Sequence, residues 1–369
     1  VPIVGAFVVR RRWRLFRARF DDLRLSPILD YGRACGLGGD GGIFRFFGEF
    51  ESINGKILWA KGGGLTIPID LSGAKVFLLP SEEEVDLNGT ENEPRPIKWD
   101  QISEFSEGAR IFVGGKASPL NGRPQFASSK EDPLLIILYD GQDRSLLMRA
   151  VRAGRKKNEY WNPATPYSFA FGIFAEVLMA LSFANRPAFS VSFAAALTFA
   201  FIPLIPFLPP GVLLTAWSRS LWRRGRAYRA LRDLVKLPLR HLMPGMTETR
   251  LPDGARYGRL LLDEEQLAKA AAWIPKFPPN ALHTSSREFW HCYGAIAEKG
   301  GTSEGYTVSE PADPSAVFAA VASDPLTLAR GYSWRARFSE IESTAAFACG
   351  FAMNAVIFYA LLGMVMNAF

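Results

Sequence analysis

Two stretches of the chain are almost free of charge. Residues 167–217 hold only Glu176 and Arg186 in 51 positions, and residues 343–369 hold no charged side chain in 27. An apolar helix of about 20 residues crosses a bilayer. The first stretch therefore predicts a transmembrane hairpin over 167–217, and the second a single transmembrane helix over 343–369. Asn185, Arg186 and Pro187 form the turn between a first crossing (167–184) and a return crossing (188–217). The return carries Pro203, Pro206, Pro209 and Pro210. Prolines this dense remove backbone donors, so its second half is expected to be kinked or unwound. Residues 1–9 are apolar but too few to span, and they stop at Arg10, Arg11 and Arg12. They read as a partial or truncated first membrane helix.

Between and beyond these stretches the period changes. Trp13, Phe16, Phe20 and Leu23 recur at helical spacing among arginines. This predicts a basic amphipathic helix at the membrane interface, with a glycine-bearing linker, over 10–42. From 43 to 148 short apolar runs alternate at period two. Turn dipeptides punctuate them at Asn54-Gly55, Asn88-Gly89, Asn121-Gly122 and Asp140-Gly141. That pattern predicts a small antiparallel β domain with an OB-like barrel. An apolar–x–apolar–x–Gly pattern ends at Gly48, Gly115 and Gly294, where a curved strand needs a bulge or bend. Residues 81–93 form an acidic loop. After the hairpin, 218–240 reads as a basic helix ended near Pro238. Residues 241–342 read as a second mixed region with a strand at 259–262, a helix at 263–273, a hairpin at 288–309 and helices over 314–322 and from 326 onward. The expected whole is an α+β integral membrane protein: OB-like barrel, transmembrane hairpin, second mixed α/β soluble region and C-terminal transmembrane helix.

Charge changes the picture by its placement. The chain has 43 Lys+Arg against 36 Asp+Glu, a net charge of +7. Seven basic residues fall in 10–24, five in 149–157 and eight in 219–240, all bordering apolar segments. This is the positive-inside pattern, with contact to anionic headgroups. The candidate headgroup-binding residues are Arg10, Arg11 and Arg12, then Arg155, Lys156 and Lys157 in the juxtamembrane segment 149–166, then Arg223, Arg224 and Arg226. Nucleic acid is not an expected partner, because the basic clusters hug the membrane segments instead of interleaving with aromatic platforms on a soluble face. Positive-inside reasoning places both soluble regions in the cytoplasm and the C-terminus outside.

Candidate chemistry is sparse. Cys35, Cys292 and Cys349 are scattered and odd in number, His241, His283 and His291 are the only histidines, and neither CxxC nor HExxH occurs. The sequence therefore predicts no zinc site, no cofactor and no catalytic constellation. The membrane-buried polar candidates are Glu176 in the first crossing and Asn354 in the last. A carboxylate there is costly and is expected to face protein, either the broken 203–210 segment or a partner. The spacing Ala346–Gly350, with Asn354, suits close helix packing.

The run Glu107-Gly108-Ala109-Arg110-Ile111-Phe112-Val113-Gly114-Gly115, followed by Asn121-Gly122-Arg123, the apolar run 134–139 and a membrane helix, resembles the GIDE domain. Ile67-Pro68-Ile69-Asp70-Leu71 and Val76-Phe77-Leu78-Leu79-Pro80 sit where such domains have a similar strand pair. That domain occurs in membrane-anchored mitochondrial ubiquitin ligases and in bacterial relatives, and the similarity covers about 26–184. The resemblance implies a bacterial inner-membrane protein whose β domain binds protein. The family's ligases carry a RING after the second helix, whereas this chain has an arginine-rich helix there, so ligase activity is not implied. The expected function is a non-enzymatic membrane scaffold or accessory subunit with a protein partner or a second copy of itself. The alternative is a component of a transport or ion-conducting complex that uses Glu176.

Overall fold

A computed structural model of the chain describes residues 2–39, 41–79, 94–98, 101–102, 109–120, 122–129, 132–153, 155, 164–184, 192, 196, 205, 208–242, 246–265, 267, 276–277, 289–298 and 306–368. The acidic loop at 81–93, the turn at 185–187, Pro203, Pro206, most of the 263–273 helix and the Gly300-Gly301 loop lie outside the described residues. The chain divides into two compact units. A barrel-bearing unit comprises Trp13–Lys156 and Ala230–Gly331, and a helical unit comprises Val1–Arg12, Lys157–Arg229 and Tyr332–Phe369. The region read from the sequence at 43–148 and residues 241–331 of the region read at 241–342 thus share one compact unit, while 332–342 belong to the helical unit.

The chain opens with α1 (Pro2–Leu23) and the single turn α2 (Tyr31–Cys35), the latter capped by the Asp30 carboxylate on the Arg33 N–H. Eight strands follow: β1 (Gly42–Asn54), β2 (Ile57–Gly62), β3 (Leu65–Asp70), β4 (Lys75–Leu78), β5 (Arg95–Ile97), β6 (Arg110–Leu120), β7 (Arg123–Phe126) and β8 (Leu135–Tyr139). Five of them close on themselves in the order β1-β2-β3-β7-β6, with β6 returning to β1. The β3–β7 contact is parallel and the other four are antiparallel. On its other edge β6 holds β8 at 110–114 and β7 at 117–120, and β4 and β5 extend the sheet beyond β8. Phe46, Leu58, Ile67, Val113, Phe126 and Ile136 fill the core.

Two of the three glycines of the repeated pattern, Gly48 and Gly115, lie where β1 and β6 change partners. Gly115 has φ +150, a conformation L side chains rarely adopt, at the point where β6 passes from β8 to β7. A Cβ there would also approach Leu134 to 2.5 Å. Gly48 precedes Glu49, which pairs with both Arg110 and Lys61, so β1 exchanges β6 for β2 there. A Cβ at Gly48 would lie 2.7 Å from the Lys61 carbonyl oxygen.

Three sequence expectations change. First, α1 runs through the boundary at residues 9–10 without a break. Its face of Trp13, Phe16, Phe20 and Leu23 is buried against the barrel's sheet, with Phe16 4.6 Å from Phe77 and Phe20 5.3 Å from Phe112, ring to ring. That stripe is therefore a core face and not an interfacial one, because β6 offers Phe112 and Gly114 as a matching surface. Second, α3 (Asp143–Arg152) replaces the end of the predicted β domain and the start of the juxtamembrane segment; Leu146, Leu147 and Ala150 bury one of its faces. Third, residues 314–322 are not helical. The Asp313 carboxylate accepts the Ser315 N–H in a tight turn, and the chain then enters a buried strand.

That strand belongs to the second sheet, built from β9 (Glu248–Arg250), β10 (Arg256–Leu262), β11 (Lys276–Phe277), β12 (Trp290–Glu298), β13 (Tyr306–Ser309) and β14 (Ala319–Val321). Its order is β11-β14-β12-β10-β9, with β13 also on β12. The β12–β13 hairpin falls where the sequence predicts it. Gly258 and Gly294 face each other across β10 and β12.

The remaining helices are α4 (Ala164–Ala184), α5 (Gly211–Lys236) and α6 (Pro325–Ala368). Two of them, α4 and α6, are long and apolar enough to cross a membrane. Outward side chains include Phe171 at 73%, Leu213 at 73% and Val356 at 68% exposure. Apolar exposure on this scale is stable against lipid or a partner and not against water. The turn at Leu208–Pro210 precedes α5, so the proline-rich return is interrupted where expected, and a one-turn 3₁₀ segment with Pro238 follows Lys236.

Candidate functional site

In the helical unit, small residues let α5 and the second half of α6 approach closely. Gly211, Ser218 and Gly225 recur every seven residues, and Gly350, Ser343 and Ala336 answer them in antiparallel register. A Cβ at Gly211 would lie 2.7 Å from the Gly350 carbonyl oxygen, and one at Gly225 3.2 Å from that of Ala336. Between them the Ser218 hydroxyl donates to the Ser343 carbonyl at 2.8 Å, and the Ser343 hydroxyl donates to the Ser218 carbonyl at 2.7 Å. Thr215, Ser339 and Ala346 are buried on the same seam. A strict seven-residue repeat keeps one seam facing its partner and coils the pair left-handedly.

Asn354 closes one end of this seam. Its Oδ1 accepts the Gly211 N–H at 3.0 Å, and its Nδ2 donates to the carbonyls of Ile205 and Leu208, both at 2.7 Å. The side chain thus supplies partners to backbone groups freed by the broken return. Glu176, the other polar candidate of the sequence, expected to face the 203–210 segment or a partner, is half-buried on α4, and much of 203–207 lies outside the described residues. The Ala346–Gly350 spacing is used within the chain, against Leu214 and Gly211.

The predicted headgroup arginines separate into two sets. Arg11, Arg12, Arg223 and Arg224 are exposed, and Arg10 is half-buried. Arg226 is buried with its guanidinium 5.1 Å from the Trp222 ring centroid, and Arg155 is ion-paired with Asp233. Lys156 and Lys157 lie outside the described residues.

The barrel-bearing unit holds a second polar cluster that sequence reasoning missed. Arg45 on β1 is 1% exposed. It meets both carboxylate oxygens of Asp313, donates to the Ser26 carbonyl at 2.7 Å and contacts the Ser315 hydroxyl. Arg24, equally buried, donates to Asp21 at 2.7 Å and to the Ser315 carbonyl at 3.4 Å, and lies 3.1 Å from His241 Nε2. Arg240 pairs with the same Asp21. Burial lowers the pKa of Arg45, opposed by Asp313, and brings Arg24 down to about 10. Burial, then Arg24 and Arg45, push His241 down to about 3, so it stays neutral at physiological pH. The Tyr257 ring packs 4.8 Å from that imidazole, and burial raises its phenol pKa. Such a cluster fixes the fit of residues 13–45 to residues 240–315. Its carboxylates serve as ion-pair partners. An Arg within the apolar run 43–47, between Phe44 and Phe46, is the sequence signal that marks it. Among the described residues no three His, Cys, Asp or Glu side chains are placed to hold a metal ion.

The sequence matches no protein-family model, and comparisons with curated proteins and with solved structures find no match.

Proposed function

We propose that the chain is a non-enzymatic, multi-pass membrane subunit that acts as a scaffold. Its barrel-bearing unit presents a rigid, GIDE-like surface to protein partners, and its helices anchor that surface in an inner membrane. One observation carries the reading. The barrel-bearing unit is a single compact body made of Trp13–Lys156 and Ala230–Gly331, with an apolar stretch between them. Arg45 and Asp313 pair only when both halves lie on one side of a bilayer. That condition demands an even number of crossings in between, as in the hairpin read at 167–217. The basic residues bordering these segments favour the cytoplasmic side. The five-strand closure, the positive φ of Gly115 and the close backbone approach at Gly48 support the OB-like, GIDE-like description of the barrel.

Isolation of the full-length protein from native membrane tests the scaffold reading. A stoichiometric companion or a homo-oligomer is expected; a lone monomer would sink it. Exposed Cys35 reports the side. An impermeant maleimide should label it in opened vesicles and leave it untouched in intact cells, with Cys35→Ser as the control. The alternative, a conducting subunit, draws on the half-buried Glu176. It requires ion or proton flux in reconstituted vesicles that Glu176→Gln abolishes.

A further inference from the structure

The register of α5 against α6 also sets the level of their charges. Residues 211–218 of α5 and 343–368 of α6 carry no charge. Above them, Arg223 and Arg224 stand level with residues 337–341 of α6. Arg223, Arg224, Arg335 and Arg337 are all exposed, and none is bonded to a described carboxylate. Aromatic and aliphatic side chains stand among them. Trp334 is 66% exposed, Phe338 and Ile341 are also exposed, and the Trp334 and Phe338 rings stack 5.5 Å apart. The two acids of this stretch offset little. Glu340 is ion-paired with Arg229, and Glu342 is half-buried.

Water favours the arginines in this collar and disfavours Trp334, Phe338 and Ile341, whereas a hydrocarbon interior does the opposite. The headgroup layer of a bilayer suits both. Indole and phenyl rings settle there, and a planar guanidinium binds phosphate oxygens through two parallel N–H donors. A zwitterionic headgroup brings its own ammonium, so it leaves the excess of guanidinium charge unmet. An anionic phospholipid meets it, at about fivefold in partitioning per arginine near the surface.

We infer that Arg223, Arg224, Arg335 and Arg337, with Trp334 and Phe338, form a collar that selects anionic phospholipids. The inference rests on the membrane reading above and adds a lipid preference and the residues that set it. C-terminal Arg335 and Arg337 extend the sequence-read headgroup set onto α6.

The test uses the full-length protein in nanodiscs of phosphatidylcholine. Phosphatidylglycerol or phosphatidylcholine brominated in its acyl chains is added in increasing mole fraction, and tryptophan quenching is followed. Quenching by the anionic lipid is expected at a mole fraction about tenfold lower than by the neutral one. The Trp334→Phe variant should lose part of that signal, which assigns it to the collar. Arg335→Gln/Arg337→Gln, both exposed positions, should cut the preference by fivefold or more and leave quenching by neutral lipid unchanged. Raising the salt should weaken the preference in the parent chain. Equal quenching by the two lipids, or a preference that survives loss of all four arginines, would overturn the collar and leave the scaffold reading standing. Absence of quenching by either lipid would overturn both.

Discussion

The two units bury different kinds of polar group. In the barrel-bearing unit the interior pairs are charged: Arg45 with Asp313, and Arg24 with Asp21. Along the apolar part of the α5–α6 seam they are neutral: the Asn354 amide and the Ser218 and Ser343 hydroxyls. The apolar side chains differ in the same sense. The barrel packs phenylalanine, leucine and isoleucine inward, whereas the helices turn theirs outward and meet through glycine, alanine and serine. A body surrounded by water gains by hiding large apolar groups, and that gain offsets the desolvation of a few well-paired ions. Helices with apolar surroundings gain nothing from hiding leucine. They associate through close backbone approach and hydrogen bonds, and an ion would be costly there.

The largest effect tests the charged side of this contrast. Asp313→Ala leaves Arg45 buried without its carboxylate and should cost about 3–5 kcal/mol in denaturant unfolding of the barrel-bearing unit. Arg45→Met/Asp313→Leu removes both charges and should recover most of that. If Asp313→Ala costs under about 1 kcal/mol, the pair is not holding the two halves together.

Next comes the close approach of the helices. Gly211→Val places a branched side chain where even a Cβ would lie 2.3 Å from Asn354 Nδ2. It should destabilise the helical unit by about 1–3 kcal/mol in detergent. Gly172→Val, on an open face of α4, should show no such loss. Equal behaviour of the two variants would refute small-residue packing as the basis of the seam.

Asn354→Leu removes three hydrogen bonds to backbone. Because such bonds average about 0.6 kcal/mol each in a membrane protein, a loss of about 1–2 kcal/mol is expected. A gain in thermal stability would mean that the broken return finds other partners.

The smallest effect is a slope. His241 has its folded pKa depressed to about 3, below the unfolded value of about 6.5. Above pH 6.5 both states are neutral and the site adds no pH dependence. As pH falls from 6.5 towards 3, the unfolded chain takes up a proton that the folded one refuses, so stability falls, by at most about 1.4 kcal/mol per pH unit. Measured between pH 6.5 and 5, where few carboxylates titrate, His241→Gln should flatten that slope. An unchanged slope would show that the imidazole is already protonated in the folded protein.

The sequence made the local features legible and hid the long-range ones. Period-two runs and Asn-Gly turns located the barrel strands because pleat and turn chemistry act between near neighbours. Uncharged stretches marked α4 and the end of α6 for the same reason. The stripe of Trp13, Phe16, Phe20 and Leu23 showed that a helix had one buried face, but lipid and a β-sheet accept the same stripe. Ser315 fell inside a helix expected over 314–322 because its partner Arg45 is 270 residues away. The seven-residue repeat of Gly211, Ser218 and Gly225 was readable, yet only its antiparallel counterpart at Ala336, Ser343 and Gly350 gives it meaning. Polarity in an apolar run marked both Glu176 and Asn354, but the backbone groups that Asn354 serves lie 143–149 residues away and could not be read from it.

The separation of Arg45 from Asp313 also has a consequence in time. A ribosome adding about 5–20 residues each second takes roughly 15–50 s to travel between them. Throughout that interval the first half of the barrel-bearing unit has emerged, while the carboxylate its arginine needs does not yet exist. The apolar stretch at 167–217 is synthesised in the same interval, before the second half can fold back. Arg45 stays hydrated until then, and the nascent barrel offers an unfinished face to chaperones. Completion of that body therefore waits for residue 313, and closure of the ion pair comes after everything between its partners has been made.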